Sequence, residues 1–257
     1  MTTFKKLHRQ TTPLLIGNVW DVPSAKVAET IGFQAVGTSS AAIAKQFGYE
    51  DGEALSFSEL LYVVKRIKAN TNLPLSVDIE SGYSRDAAEI ANHIEQLANL
   101  GVVGVNLEDS VFDKKLTLLH AEAFAQTIAQ IKKRLVEKDI SIFLNTRMDT
   151  FLLGVSDAIV ATQQRVKLYE EAGADGIFVP CLTKPTDIQA IVKSTTLPVN
   201  VMCMSDLPDF QTLQKLGVRR ISMGNFVFEQ QVGFLGRMLE KIQKEASFAP
   251  VFSNGLD

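Results

Sequence analysis

The chain has 257 residues, 46% hydrophobic and 21% charged, a composition that suits one large folded domain or two small ones and excludes a disordered, collagen-like or coiled-coil chain. Twenty-six basic against 29 acidic residues leave a net charge of −3, with no electrostatic footprint for nucleic acid or an anionic membrane surface. No apolar run approaches the roughly 18 residues of a membrane span, and MTTFKKLHRQTTPLL lacks the pattern of a secretion signal. Two cysteines, Cys181 and Cys203, make no disulfide framework and fit a reducing cytoplasm, where the protein is expected.

In chain order, the first strand-like run is LLIGNVWD (14–21). Then a repeated pattern sets in, a helical segment running into a glycine and a short strand: TIGFQAVGTSS, NLGVVGVNLEDS, EAGADGIFVP and KLGVRRISMGN. Their glycines, Gly32, Gly101, Gly173 and Gly217, stand where a helix end calls for a left-handed residue. Between these lie LPLSVDIE, ISIFLNTR and LPVNVMC, which makes eight β-rich runs. Helical periodicity occupies 56–70, 86–100, 120–137, 156–172, 185–194, 209–216 and 226–245. In the first of these Leu60, Leu61, Val64 and Ile67 form one stripe, and Ser56 with Glu59 forms a capping box. The strands are near-continuous apolar runs, as when both faces are covered. Eight β–α units in this length predict an α/β fold of the (β/α)8 TIM type, a single domain over 1–257 with 226–257 as C-terminal helix and tail. The alternative, an open doubly wound sheet, lacks its GxGxxG after the first strand, where NVWDVPSAK stands. The tail SFAPVFSNGLD reads as extended surface chain.

Alternate residues on a strand share a face. Asp78 with Glu80, Asn106 with Glu108, and Asn145 with Arg147 and Asp149 therefore point together, joined by Asn18, Ser39, Asn200 and Ser222. Nearly all sit at C-terminal strand ends, where barrel enzymes build their sites. One reading is a polar layer satisfied by internal hydrogen bonds. The other is a divalent metal site, because burying Asp78, Glu80 and Glu108 together is costly without a cation. Carboxylates without imidazole or thiolate suit Mg²⁺ or Mn²⁺ rather than zinc, and His8, His93 and His120 are scattered. Arg147 either closes an internal ion pair or grips a substrate carboxylate bidentately, and the two are compatible. Asp51 is a turn acid or a site residue, and Lys114 and Lys115 are a solvated pair or part of a mobile lid. Cys181 and Cys203 read as ordinary packed thiols.

Absences narrow the chemistry. No strand ends in Lys or His, and there is no GxSxG, HExxH or P-loop, which argues against Schiff-base, imidazole and serine-nucleophile mechanisms. Metal-assisted chemistry on an anion remains, with a developing enolate stabilised by a cation and by Arg147.

The segments VDIESGY, GTSSAAIAKQFGYEDGE, NLEDS and NTRMDTF, in their order along the chain, resemble the isocitrate lyase / phosphoenolpyruvate mutase superfamily, over about Leu14 to Asn225. The resemblance implies a modified barrel, a homotetramer built as a dimer of dimers with its last helix swapped between subunits, and Mg²⁺ holding a 2-oxo acid or its enolate. It implies Asp78 as direct metal ligand, Glu80 and Glu108 on the metal or its waters, and Asp51 on another water. Ser39, Ser40 and Ala41 resemble the loop that takes the substrate carboxylate, Arg147 the arginine at the substrate's oxyanionic end, and Asn200 a substrate-binding residue. This chain departs from the pattern in four places. Glu80 stands where Asp is usual. SVFDKKLTLLHAEAF lacks the lid cysteine of the isocitrate and methylisocitrate lyases. The gating motif of the phosphonopyruvate-forming mutases is missing, and Pro180 stands where those carry a histidine. The branch is thus methylisocitrate lyase-like or carboxyphosphonoenolpyruvate phosphonomutase-like.

Three readings follow. The first is a Mg²⁺-dependent lyase acting on a small 2-oxo or 2-hydroxy di- or tricarboxylate through an enolpyruvate-like intermediate, with Arg147, Asp51 and Tyr49 as catalytic candidates; Tyr83, Lys114 and water on the cation compete with Tyr49 for the acid–base role. The second is a P–C bond mutase or hydrolase acting on a phosphonate. The third is a barrel that binds an oxo acid without turnover.

Overall fold

The computed structural model describes residues 3–252. It opens with α1 (Thr3–Leu7), then β1 (Leu14–Leu15) and β2 (Gly17–Val19), two pieces of one run separated at Ile16. α2 (Val22–Thr30) begins where Asp21 and Ser24 cap each other reciprocally. β3 (Val36–Thr38) leads into α3 (Ser40–Gln46), whose first turn is capped by the Ser39 hydroxyl accepting from the Ala42 N–H at 3.3 Å. α4 (Phe57–Lys68) carries the expected Ser56–Glu59 capping box and buries Leu60, Val63, Val64 and Ile67, with Leu61 at the edge of that face. β4 (Leu75–Asp78), α5 (Ala87–Asn99) and β5 (Gly104–Glu108) continue the alternation. A hairpin of β6 (Ser110–Asp113) and β7 (Lys115–Leu118) interrupts it. There follow α6 (Ala121–Glu137), β8 (Phe143–Arg147), α7 (Ala158–Glu171), β9 (Gly176–Phe178), α8 (Pro185–Val192), β10 (Val199–Met202), α9 (Phe210–Leu216), β11 (Arg220–Ser222), α10 (Phe226–Glu245) and α11 (Ala249–Phe252).

The parallel sheet runs in the order β1-β11-β10-β9-β8-β5-β4-β3-β2. Leu14 pairs with Arg220 at one edge and Gly17 with Val36 at the other, so the continuous run 14–19 brings the sheet round on itself. This is the predicted (β/α)8 barrel. The four glycines that end α2, α5, α7 and α9 take φ of 86°, 86°, 99° and 90°, as expected of helix C-caps. The main core lies between sheet and helices, and each strand of the barrel is buried on both faces.

A second small core closes the N-terminal mouth. Phe4 and His8 from the α1 segment pack on Phe143, Leu14, Ile16 and Ala35, with His8 stacked on Phe143 at 4.3 Å between ring centroids. Above this plug lies an interior polar layer in which the buried Arg220 donates through Nη2 to Asn106 at 3.3 Å, while its Nε and Nη1 have no partner among the described residues. Asn145 donates to Asn106 at 2.9 Å and to Asn200 at 3.2 Å, and Asn200 donates to Ser222 at 3.2 Å. The first of the two sequence readings of the polar face, internal hydrogen bonding, therefore describes the amides of this layer.

Four parts of the chain differ from expectation. α1 and α3 are helices the periodicity did not reveal, because both are too short to show a stripe. The segment SVFDKKLT is an ordered hairpin turning at Lys114, φ 60°, with its tip exposed. The tail, read as extended chain, turns helical at Ala249–Phe252 and buries Pro250, while 253–257 lie outside the described residues. Among the described residues no helix is long and apolar enough to cross a membrane.

Candidate active site

The charged ends of the strands meet at the C-terminal mouth. β4 ends in Asp78, β5 in Glu108 and β8 in Arg147, and the ladder places Asp78 beside Asn106 and Glu108 beside Arg147. Strand ends also brace one another: the Asp78 N–H donates to the Thr38 hydroxyl of β3 at 2.8 Å, and the Glu80 N–H donates to Asp78 Oδ1 at 3.2 Å. Glu80 reaches the same mouth through a left-handed turn, φ 49°, rather than by continuing the strand. The Ser40 hydroxyl lies 3.2 Å from Asp78 Oδ2 and also within reach of the Asp51 carboxylate, with one proton to share.

Arg147 brings a guanidinium to this mouth, and it is braced on two sides. Its Nη1 lies 3.0 Å from Glu108 Oε2, its Nε donates to Asp149 Oδ1 at 2.7 Å, and its plane sits over the Phe178 ring at 5.9 Å. The internal ion pair is therefore real, and it holds the guanidinium at the rim. Asp51, Asp78 and Glu80 have no Lys, Arg or His within ion-pair distance among the described residues.

The fields follow from this imbalance. Burial pushes Asp78 up, Asp51 adds to the rise, and Arg147 opposes it. Burial, then Asp51 and Asp78, push Glu80 up to about 7. Glu108 is driven well above the carboxylate range by burial, against the pull of Arg147. Asp51 stays open to solvent, yet the walls of the mouth displace enough water to raise it too. Burial works against the Arg147 charge, but Glu108 and Asp149 outweigh it and hold that pKa above its ordinary value. Asp51 raises Asp78 and Glu80, and Asp78 raises Glu80 and Glu108, as in a cluster short of positive charge. The donors are carboxylates and a hydroxyl, which fits a hard cation. Among the described residues no three acidic, His or Cys side chains form a ready-made cage.

The other expected residues are placed as follows. Ser39 is buried and its hydroxyl caps α3, while Ala41 lies half-buried in the first turn of that helix. Asn200 sits in the polar layer below the mouth, its amide bonded to Asn145, Ser222 and the Val201 carbonyl. Tyr49 is turned outward and its hydroxyl donates to Glu59 at 3.1 Å, so the structure does not bring it into the carboxylate cluster. Cys181 is half-buried with its thiol pushed up by burial, and Cys203 is exposed; both are free.

Several residues escaped the sequence reading. Asp109 faces away from the mouth by strand parity, yet it supports the site from behind. It accepts from the Asp149 N–H at 3.0 Å, from Arg165 at 2.7 Å and from the Tyr169 hydroxyl at 2.9 Å. Burial, opposed by Arg165, sets its pKa at about 6. Asp149 shares the face of Arg147, as the parity required, and also accepts from the Ser110 hydroxyl at 2.5 Å. An acid of the wrong parity at a strand end, Asp109 next to Glu108, was the signal available.

With that geometry in place, comparison with known proteins identifies its setting. The model of the family described as phosphoenolpyruvate phosphomutase matches residues 4–243. The chain belongs to this family, within the isocitrate lyase / phosphoenolpyruvate mutase superfamily. It is 34% identical over 223 residues to an uncharacterized protein of Mycobacterium tuberculosis (strain ATCC 25618 / H37Rv), covering 87% of this chain and 82% of that one. It is 27% identical over 233 residues to an oxaloacetate decarboxylase of Pseudomonas fluorescens, covering 87% and 78%. A crystal structure of a phosphonopyruvate hydrolase in complex with oxalate and Mg²⁺ shares the fold, with a TM-score of 0.84, 23% identity, and coverage of 95% of this chain and 87% of that one.

Proposed function

We propose that this protein is a Mg²⁺-dependent (or Mn²⁺-dependent) lyase that cleaves a C–C bond of a small 2-oxo or 2-hydroxy di- or tricarboxylate through an enolpyruvate-like intermediate. One observation carries the reading: Asp51, Asp78 and Glu80 share the barrel mouth with no cationic side chain at ion-pair distance among the described residues, beside an arginine already braced at the rim. The bound cation supplies the positive charge that an enolate requires as it develops. Asp78 is positioned to hold that cation, and Glu80, Glu108 and Asp51 to hold its water. Arg147 presents its guanidinium to the substrate's anionic end, and the main chain of Ser39, Ser40 and Ala41 faces a carboxylate at the start of α3. Asn200 acts from the layer below, orienting the floor of the mouth through Asn145. Tyr49 would need the Asp51 loop to move before its hydroxyl met substrate. The name of the matched family favours a second reading, cleavage or rearrangement of a P–C bond in a phosphonate.

We also propose that the protein works as a homo-oligomer in the cytoplasm, with α10 exchanged between subunits. α10 exposes Val227, Val232, Phe234, Leu235 and Leu239, each more than two-fifths accessible.

The test pairs binding with turnover. Oxalate, a mimic of enolpyruvate, is expected to bind only with Mg²⁺ present, and Asp78→Asn is expected to abolish that binding. Metal-independent oxalate binding overturns the site as described. Pyruvate release from oxaloacetate or methylisocitrate supports C–C cleavage, and release from phosphonopyruvate supports P–C chemistry. Mg²⁺-dependent binding with no turnover of any of the three favours an oxo-acid-binding barrel.

A further inference from the structure

The turn that follows β4 and the loop that carries Asp51 are tied by a reciprocal pair of hydrogen bonds. The Glu53 N–H donates to Glu80 Oε2 at 2.5 Å, and the Tyr83 N–H donates to Glu53 Oε1 at 2.6 Å. Each segment thus offers the other a main-chain donor and takes a carboxylate in return. The Tyr83 hydroxyl then donates to Glu80 Oε1 at 2.9 Å, so both oxygens of Glu80 hold a donor from this network. Glu53 is held in turn by the Ser81 hydroxyl at 2.8 Å and by the Arg85 guanidinium.

The backbone at these positions is unusual. Glu53, Glu80 and Tyr83 all have positive φ, 65°, 49° and 58°, a region that side chains other than Asn and Asp seldom occupy. Three such residues within one hydrogen-bonded knot indicate a conformation imposed by the bonds, since each is locally unfavourable alone. The knot also bears on what lies above it. Gly52 sits directly under Phe112 of the β6–β7 hairpin, where an added Cβ would come 3.1 Å from the Phe112 Cβ. Loop, strand end and hairpin are therefore stacked in one contact chain.

We infer that Tyr83 and Glu53 are positioning residues that each place one donor on the Glu80 carboxylate and so latch the Asp51 loop onto the end of β4. Glu80 serves first as the keeper of this latch, and the second lone pair on each of its oxygens stays open to the cation's water. This rests on the cation-assisted reading above for its consequence, though the latch itself stands on the hydrogen bonds alone. It also gives a reason for Glu in place of the Asp usual at position 80: the longer side chain spans from the strand end to the Glu53 N–H.

Two readouts on this 257-residue chain test the latch. Amide hydrogen exchange of residues 50–54 is measured in wild type, Tyr83→Phe and Glu53→Ala, alongside Mn²⁺ binding followed by electron paramagnetic resonance. Both variants are expected to exchange these amides at least tenfold faster and to bind Mn²⁺ several-fold more weakly, with melting temperatures close to wild type. Asp51→Asn is expected to weaken Mn²⁺ binding while the same amides remain slow. Exchange at wild-type rates in both latch variants overturns the inference. If wild-type protein binds no Mn²⁺, the functional reading fails, and the exchange measurement still decides the latch. Faster exchange with unchanged Mn²⁺ affinity overturns the positioning role.

Discussion

His8 gives a test of the plug at the N-terminal mouth that does not involve the site. Its ring is 3% exposed, stacked on Phe143, with Nδ1 3.0 Å from the Phe4 carbonyl oxygen and Nε2 without a partner among the described residues. Burial, helped by the Arg220 guanidinium, lowers its pKa from 6.5 to about 3. The folded protein therefore keeps His8 neutral through a range in which the unfolded chain takes up a proton. The stability this ring contributes is complete above pH 6.5 and is lost progressively as pH falls toward 3. Between pH 7 and pH 5 the window crossed is about 1.5 units, worth about 2 kcal/mol. Urea unfolding of wild type and His8→Leu at both pH values isolates this quantity, since the shifts of the buried carboxylates are common to both proteins and cancel. The stability loss from pH 7 to pH 5 should be about 2 kcal/mol larger in wild type than in the variant. An equal loss in the two proteins would refute the reasoning and place a protonated, partnered imidazole in the plug.

Other consequences are more direct. Gly176→Ala should destabilise the fold by about 1–3 kcal/mol, because the new methyl would come 2.7 Å from the Phe143 ring and 2.9 Å from Asn145 Oδ1; calorimetry reads this as a lower melting temperature. Phe4→Ala should cost about 3–5 kcal/mol by opening a cavity in the plug, while Mg²⁺-dependent oxalate binding at the other end of the barrel stays at wild-type affinity. Tyr169→Phe removes a buried donor to Asp109 and should lower stability by about 1–3 kcal/mol in urea titrations. Arg147→Met leaves Glu108 and Asp149 facing each other unpaired, so it should lose about 3–5 kcal/mol as well as anion binding, both measurable on one preparation by denaturation and calorimetric titration.

The parts of this structure that could be read from the sequence are those governed by local rules. Gly32, Gly101, Gly173 and Gly217 mark helix ends because only a left-handed residue closes a C-cap cheaply, and that requirement does not depend on the rest of the fold. The strand ends were legible because Asp78, Glu108 and Arg147 are charges in otherwise apolar runs. What was not legible depends on distant partners. α1 has five residues and no stripe; it persists because Phe4 fits over Gly104, where a Cβ would come 2.8 Å from its ring, more than 90 residues along the chain. The β6–β7 turn uses Lys114 at φ 60° rather than an Asn-Gly pair, so it carries no hairpin signature. Asp109 was passed over because parity turns it outward, and its importance appears only once Arg165 and Tyr169 of α7 are seen to meet it.

Parity was also incomplete as a guide to the site. It placed Asp78 and Glu80 on one face by assuming that the strand continues, but β4 stops at Asp78 and Glu80 arrives through a left-handed turn. The two carboxylates meet because the Glu53 and Tyr83 bonds hold that turn, a tertiary cause with the outcome that the strand pattern alone suggested. The difference matters for substitutions. If strand geometry placed Glu80, shortening it to Asp would merely move its carboxylate back by one methylene. Because the turn depends on both of its oxygens being bonded, Glu80→Asp should release the Glu53 N–H and with it the Asp51 loop. The substitution closest in chemistry would then be felt first at a residue it never touches.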